Sequence, residues 1–424
     1  MRLSPLGPAL LLAAAAFVRV ASAQDEPADS FVIRDVRLFD GARVIEHRSV
    51  VVIDGEIARI GGPELDDRGL DVVDGNGRTL LPGLFDAHVH VPGFDPAAAL
   101  AQSAAFGVTT VIDMFSAGES LEKIKQLESV DDPRYAAVLT AGTGATAPGG
   151  HPSQMMPTRF ETIEAPEEAQ AFVDARIAEG SDFIKIIYDD LRDGDQSRPM
   201  IDRATLEAVV EAAHRRGMMA IAHIATETQA REAIEAGVDG LAHLFNGARA
   251  PADFGSFAAR HEVFVIPTIT VLHLRCGRSD GPAMVQDQRL ASLIAPQWRA
   301  AAGASFPGAQ SCASIEATLR QLADAEVPML TGTDAAVPGT AYGASVHVEM
   351  ASMVEYGLSP IDALTAATSA PASAFRLSDR GSIAPGMRAD LLLVEGDPTE
   401  DITDTRNIVQ VWKKGVPVRR ERPQ

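Results

Sequence analysis

With 424 residues, 46% of them hydrophobic and 22% charged, the chain has room for one large domain and a small one, and its composition is neither disordered nor fibrous. A formal net charge of −21 disfavours nucleic acid and anionic lipid as partners, so the chemistry to look for is that of a small-molecule substrate.

The N-terminus is a separate object. Arg2 supplies a positive start, residues 6–17 are apolar, and Ala21-Ser22-Ala23 is a small-x-small cleavage site before the polar Gln24-Asp25-Glu26. Residues 1–23 are therefore predicted to be a secretory signal peptide, with export to the periplasm or secretion after cleavage near Ala23. The apolar run is shorter than the ~20 residues of a spanning helix, and no Cys near the cleavage site could take a lipid. No later stretch is apolar enough to enter a membrane, so no membrane partner is expected; homo-oligomerisation stays open. The two cysteines, Cys276 and Cys312, lack metal-ligand spacing. In an oxidising compartment such a pair can form a disulfide, which the sequence also leaves open.

Residues 31–82 alternate apolar and polar positions between Gly and Asp turns, as in "FVIRDVRLFDG" and "SVVVIDGEIARIGG". The same texture returns in "GSIAPGMRADLLLVEGD" and "NIVQVWKKGVPV". Neither end has enough strands for a core alone, which predicts one small β-sandwich domain built from residues 24–82 and 382–424. Over residues 83–381, eight short apolar runs alternate with amphipathic stretches: "GLFDAHVHV", "GVTTVIDM", "AAVLTAG", "FIKIIY", "MMAIAHI", "GLAHLF", "VFVIPTIT" and "MLTGTDA". The clearest helix is predicted to open at Asp202, to bury Leu206, Val209, Val210 and Ala213, and to stop at Gly217. This alternation predicts an α/β fold, a (β/α)₈ TIM barrel. A doubly wound sheet is the alternative, disfavoured because no Gly-rich phosphate loop follows an early strand. Residues 275–325 are longer than an ordinary loop and could form a lid over the barrel mouth.

Residues able to bind metal fall at particular places in this pattern. His88 and His90 lie two apart in a strand, so their side chains share a face. Lys185 sits inside "FIKII", His223 ends "MMAIAH", His243 ends "GLAH", and Asp334 ends "MLTGTD". All six lie at or near C-terminal ends of barrel strands, where barrel active sites are built. Taken singly, each has an ordinary reading: a hydrogen-bonded structural His, an N-cap Asp, or a Lys that snorkels or pairs with Asp113 or Asp189. Their conjunction points to a metal site.

"PGLFDAHVH" resembles the first-strand motif of the amidohydrolase superfamily, "GTDAAVPGT" its eighth-strand motif, and "GSIAPGMRADLLLVEGDP" the return to the β-domain. The resemblance covers about residues 31–418. It is nearest to the imidazolonepropionase-like branch that also holds Xaa-Pro dipeptidases and ochratoxinase-like enzymes. It implies two divalent ions, with His88, His90 and Asp334 holding the more buried one and His223 and His243 the second. Lys185, carboxylated by CO₂ to a carbamate, would bridge them. Zinc is the first choice for this nitrogen and oxygen donor set, and cobalt or manganese would fit similarly. On that reading a hydroxide shared by the metals attacks a polarised carbonyl, and Asp334 carries the proton to the leaving nitrogen. Asp334 and His243 are the catalytic assignments, and the reaction is hydrolysis of an amide or peptide C–N bond in a dipeptide, an Xaa-Pro dipeptide or an N-acyl amino acid.

In the related deaminases a catalytic Glu stands three residues after the fifth-strand His; here that position is Thr226, and Glu227 comes one too late. Imidazolonepropionase itself lacks the bridging Lys. Hydrolysis of a cyclic amide, lactone or ester on the same site remains an alternative, as does a non-catalytic binding protein. His151, after "APGG", and Tyr188, three residues past Lys185, are the candidate substrate contacts. His347 and Glu349 are placed either at the rim or on a solvated helix start. His47, His214, His261 and His273 are expected to be structural or exposed.

Overall fold

Both ends of the chain enter one sheet. Its strands are β1 (Phe31–Phe39), β2 (Val44–Ile53), β3 (Glu56–Gly61), β4 (Asp71–Asp74) and β5 (Arg78–Pro82) from the N-terminal side. From the C-terminal side come β13 (Leu391–Glu395), β14 (Ile408–Lys413) and β15 (Val416–Pro417). The order is β15-β14-β13-β5-β1-β2-β3, with β4 paired to the start of β1. The computed structural model describes residues 30–420 apart from 93–94, 156–158, 192–196, 306–307 and 309. The signal sequence expected over residues 1–23 lies outside the described residues. Among the described residues no helix is long and apolar enough to cross a membrane.

The apolar run in β13 follows from burial on two sides. Leu391 and Leu393 join a cluster with Phe31, Val50, Leu80 and Trp412, whereas Leu392 and Val394 join the main core. Alternate side chains of a strand point to opposite faces, so a strand covered on both faces reads as uniformly apolar. In the pairing order β14 stands three strands from β1, about 14 Å in a flat sheet. The rings of Phe31 and Trp412 nevertheless stack at 5.1 Å, which a sheet curled over its own cluster provides.

The central part is parallel. Strands β6 (Leu84–Val89), β7 (Val108–Asp113) and β8 (Ala137–Thr140) pair in chain order, and so do β9 (Ile184–Ile187), β10 (Ala220–His223), β11 (Gly240–Ala242) and β12 (Phe264–Ile266). Single parallel bridges continue the sequence: Ala145 with Ile186, Val265 with Met329, and Val89 with Ala335. Helices stand between successive strands, among them Pro96–Ala105, Ala169–Glu179 and Arg203–Arg215. Parallel strands alternating with helices, beside a further sheet, make a TIM-barrel-type α/β fold with an extra domain. The helix Arg203–Arg215 opens as expected. Asp202 accepts from the Thr205 amide at 2.8 Å; Leu206, Val209, Val210 and Ala213 are buried; and Gly217 takes φ +70° past the end.

The eighth apolar run forms bridges rather than a regular strand. Its backbone is nonetheless bonded to both neighbours: Leu330 N to Val265 O at 2.9 Å, Ala87 N to Thr331 O at 2.8 Å and Asp334 N to His88 O at 2.7 Å. A Cβ on Gly332 would collide with Ile266 and with His88, so these backbones approach more closely than side chains allow. Asp334 then leaves the extended region at φ +57°. Residues 275–325 contain the helices Gly281–Met284, Gln288–Ala291, Pro296–Ala302 and Ile315–Asp324. Cys276 and Cys312 are disulfide-bonded, with Cα atoms 5.6 Å apart. Trp298 in this segment packs edge-on against Tyr342, whose hydroxyl donates to His90 O at 2.7 Å, so the segment reaches the backbone at the end of β6.

Neither His347 nor Glu349 is at a rim or in solvent. Both lie on the helix Ala344–Glu355 and are fully buried, because this helix is enclosed on most of its faces. His347 bridges Thr405 Oγ1 at 3.0 Å and Phe106 O at 2.9 Å. Burial, reinforced by the charges of Arg406, Arg420 and Arg289, outweighs the Phe106 carbonyl and pulls the imidazole down to about 4. Between its ordinary 6.5 and about 4 the unfolded chain takes up a proton that the folded chain refuses. Stability is therefore expected to fall with pH across that window, by about 3 kcal/mol from this group. Urea titrations of wild type and His347→Gln between pH 4 and 7 check this, and an equal slope for the two would remove His347 as its source.

Candidate metal centre

The cluster is built at the C-terminal ends of the parallel strands. β6 presents His88 and His90 on one face, with ring centroids 5.3 Å apart. Asp334 reaches back to both, its Oδ1 3.3 Å from His88 Nε2 and 3.0 Å from His90 Nε2. His243, just past β11, stacks obliquely on His88 with centroids 4.6 Å apart. His223, the last residue of β10, puts Nδ1 3.1 Å from His243 Nε2. His151 lies over His223 with centroids 5.2 Å apart, its Nδ1 2.7 Å from Gln154 Nε2. The structure therefore brings together His88, His90, His151, His223, His243 and Asp334.

Lys185 is also interior. It is 1% exposed, and its charge opposes protonation of His88, His223 and His243. Neither carboxylate offered as its structural partner hydrogen-bonds to it. Asp113 accepts from Val91 N at 2.8 Å and Thr140 Oγ1 at 2.6 Å, and Asp189 is bonded to His223. Burial lowers Lys185 to about 7, against the pull of Asp334 and Asp113.

Tyr188 is not brought to the cluster. The alternation of β9, carried on past its end at Ile187, sends Lys185 and Asp189 to one face and Tyr188 to the other. Tyr188 packs in the main core, and its hydroxyl donates to Glu232 Oε2 at 2.7 Å, on the helix Glu227–Glu235. Tyr188, expected as a substrate contact, thus stands on the face of the main core rather than with the histidines. His47 and His214 are exposed on Asp35 and Asp239, His261 packs on Phe257, and His273 is buried between Asp280 and Tyr356.

Sequence reading missed the groups that hold the cluster in place. Asp86 accepts from Thr333 Oγ1 at 2.6 Å, Thr333 N at 3.0 Å and His88 N at 3.3 Å, tying the strand of His88 to the run of Asp334. Burial raises Asp86 to about 7 despite these bonds. Asp189 Oδ2 stands 3.1 Å from His223 Nε2, leaving Nδ1 for the cluster. Burial alone would raise Asp189, but the hydrogen bond and charge of His223, with Arg275, hold it at about 2. His243 Nδ1 lies 2.7 Å from Thr268 Oγ1. One signal was available: Asp86 is two residues before His88 and Asp189 four after Lys185, so each shares its neighbour's face.

The donor set fits a metal. One ligand atom from each of His88, His243 and Asp334 lies within 4.8 Å of the others, and all three residues are buried. Both ring nitrogens of His88, Lys185 Nζ and Asp334 Oδ1 are buried without a hydrogen-bond partner. Buried polar atoms are normally paired, so orphans on His88 and Asp334, two members of that group, fit a ligand shared between them. Burial lowers His88 to about 3 and His151 to about 3, and takes His243 well below its ordinary value. The imidazoles are therefore neutral, the form that binds metal. Two cavities, about 300 and 260 Å³, lie elsewhere and include none of the cluster. Their cations are internally paired, as in Lys413–Asp131, Arg388–Asp390, Arg278–Glu355 and Arg406–Asp287, which leaves no charge for a ligand.

Residues 79–418 match the family model described as the amidohydrolase family. An imidazolonepropionase of Deinococcus deserti is 37% identical over 103 residues, 23% of this chain and 26% of that protein, so the match spans about a quarter of the relative's length. The crystal structure of a Xaa-Pro dipeptidase with bound methionine in the active site superposes with a TM-score of 0.73 at 24% identity, covering 92% of this chain and 99% of that one. That of A. niger ochratoxinase gives 0.70 at 19% identity, covering 92% and 95%. These neighbours belong to the branch that the sequence motifs resemble. With four-fifths of its length in the match, the chain belongs to the amidohydrolase family.

Proposed function

We propose that this protein is an exported, metal-dependent amidohydrolase that cleaves the amide C–N bond of a small molecule bearing a free carboxylate. His88, His90 and Asp334 would hold one divalent ion, His223 and His243 a second, and Lys185, as its carbamate, would join them, with zinc the first choice. The observation that carries this is the buried group His88, His243 and Asp334, whose ligand atoms lie within 4.8 Å of one another, together with a buried Lys185 whose Nζ has no hydrogen-bond partner. We take residues 83–381 as the barrel, with residues 329–334 as its eighth strand, and both chain ends as the accessory domain.

Two bound ions would supply Lewis acidity and a water acidic enough to lose its proton near neutral pH. The chain's own groups do the rest. Asp334, held ionised, would accept the attacking water's proton on a carboxylate oxygen and deliver it to the leaving nitrogen. Asp189 and Thr268 hold the rings of His223 and His243 in one orientation. His151, whose ring lies 5.2 Å from that of His223, would contact the substrate. With Tyr188 turned away, Arg275 is the better anchor for a carboxylate: its charge reaches Asp189 and His223, and among the described residues it has no ion pair. Relatives named as Xaa-Pro dipeptidase and prolidase support a dipeptide as the substrate.

The test is metal analysis followed by a hydrolysis panel of dipeptides, Xaa-Pro dipeptides and N-acyl amino acids, each also with its carboxylate blocked, plus lactams and lactones. We expect close to two ions per chain, activity lost on chelation and regained on reloading, and a marked fall in kcat/KM on blocking. A chain that takes up no metal and turns nothing over is a binding protein. One ion, with no gain on adding more, indicates a deaminase-like site. Equal rates on blocked substrates put a lactam or lactone first.

A further inference from the structure

The helix Ile269–Arg275 starts without its usual cap. Thr268 occupies the N-cap position, where a Thr hydroxyl ordinarily accepts from the second or third amide of the helix. Here Thr268 is left-handed, φ 47°, and makes no such bond. Its Oγ1 is committed to His243 Nδ1 at 2.7 Å. The amides of Ile269 and Thr270 are taken instead by the two carboxylate oxygens of Glu349, at 2.5 and 3.0 Å, and the Thr270 hydroxyl donates to the same group. Glu349 comes 80 residues later, from the helix Ala344–Glu355, and is fully buried. A carboxylate suits the positive end of a helix, and three donors offset the cost of burying it.

We propose that Glu349 is a positioning residue: by capping Ile269–Arg275 in place of Thr268, it leaves the Thr268 hydroxyl to accept from His243 Nδ1–H and so keeps the His243 Nε2 lone pair turned to the cluster. A neutral imidazole has one N–H and one lone pair. With the proton on Nε2, where His223 Nδ1 at 3.1 Å is the competing acceptor, the lone pair would face Thr268, and His243 could not act as an inward ligand. If Glu349 were lost, the uncapped amide of Thr270, the second of the helix, would compete for the Thr268 hydroxyl, and His243 would lose its outer partner. The consequence for metal binding rests on the function proposed above; the hydrogen-bond relay does not.

The experiment has two readouts. Long-range ¹H–¹⁵N NMR of metal-free, ¹⁵N-His protein reports the His243 tautomer, and zinc affinity is measured by competition with a chelating dye. Wild type and Thr268→Ser should carry the proton on Nδ1. Thr268→Val and Glu349→Gln should both populate the Nε2–H form and weaken zinc about 10–100-fold, the usual effect of removing an outer partner of a ligating His. The double variant should be no weaker than the worse single, because both act through one bond. Should Glu349→Gln not fold, Thr270→Val removes one of the three donors to the carboxylate and is read in the same way. A Glu349→Gln protein with wild-type tautomer and zinc affinity but a lower Tm, or additive losses in the double variant, overturns the proposal. If wild type binds no zinc, the metal reading falls, and the tautomer still decides the relay.

Discussion

Replacing Asp334 with Asn is expected to lower kcat by about 10²–10⁴-fold while substrate binding largely persists. The carboxylate is held from several sides. Its own amide donates to His88 O at 2.7 Å, the adjacent Thr333 is bonded twice to Asp86, and Oδ1 faces His88 and His90. Burial would raise its proton affinity, but the imidazoles of His88 and His90 outweigh this and keep it ionised. An amide of the same shape fits the same frame and can still offer a carbonyl oxygen to a metal, but it cannot accept a proton. The measurement is steady-state kinetics, with metal content and inhibitor affinity determined on the same preparation. A loss of ions that parallels the loss of rate would make Asp334 chiefly a ligand, and a near-normal rate would remove it from proton transfer altogether.

Lys185→Ala is expected to lose one ion and most of the activity, about 10³-fold if several kcal/mol of charge stabilisation go with that ion. The expectation starts from surroundings. Lys185 is 1% exposed, in a strand whose Ile184 and Ile186 pack in the main core, and Nζ has no hydrogen-bond partner. Desolvation favours the neutral amine. That amine can attack CO₂: an N–C bond forms as one C=O π pair moves onto oxygen, one N–H proton leaves to solvent, and a carbamate anion replaces the neutral amine. A short carboxylic acid added to Lys185→Ala should restore part of the lost metal and rate, because it can occupy the vacated position. A ¹³C carbamate signal should appear in wild type under ¹³CO₂ and be missing from the variant. Full metal content and activity in Lys185→Ala, or a bare amine in the active, metal-loaded enzyme, would end this reading.

Much of the fold was legible because it depends on local pattern. Seven of the eight apolar runs became strands, and Asp202 capped the helix that it was expected to cap. The exception, residues 329–334, has the composition of a strand. Its close approach to β6 and β12 at Gly332 and the turn at Asp334 arise only when three segments meet. The sheet shared by the two chain ends was also foreseeable, since neither end has strands enough to bury its own apolar face.

The sequence by itself determined which donors share an edge: His88, His90, His223, His243 and Asp334 each stand at the end of an apolar run, and the C-terminal ends of parallel strands lie on one side, where closure into a barrel brings them together. Tertiary structure decided what those donors can do. Parity within β9 could have excluded Tyr188, but its bond to Glu232 depends on how the neighbouring helix packs. The sequence left Glu349 either at the rim or on a solvated helix start, because an acidic residue near a helix N-terminus is usually accessible. Its helix is instead covered on most faces, and the carboxylate finds donors 79 and 80 residues away. Partners such as Asp189 for His223 and Thr268 for His243 leave no periodic trace, because a hydrogen bond between distant segments depends on a few tenths of an ångström of packing rather than on a spacing along the chain.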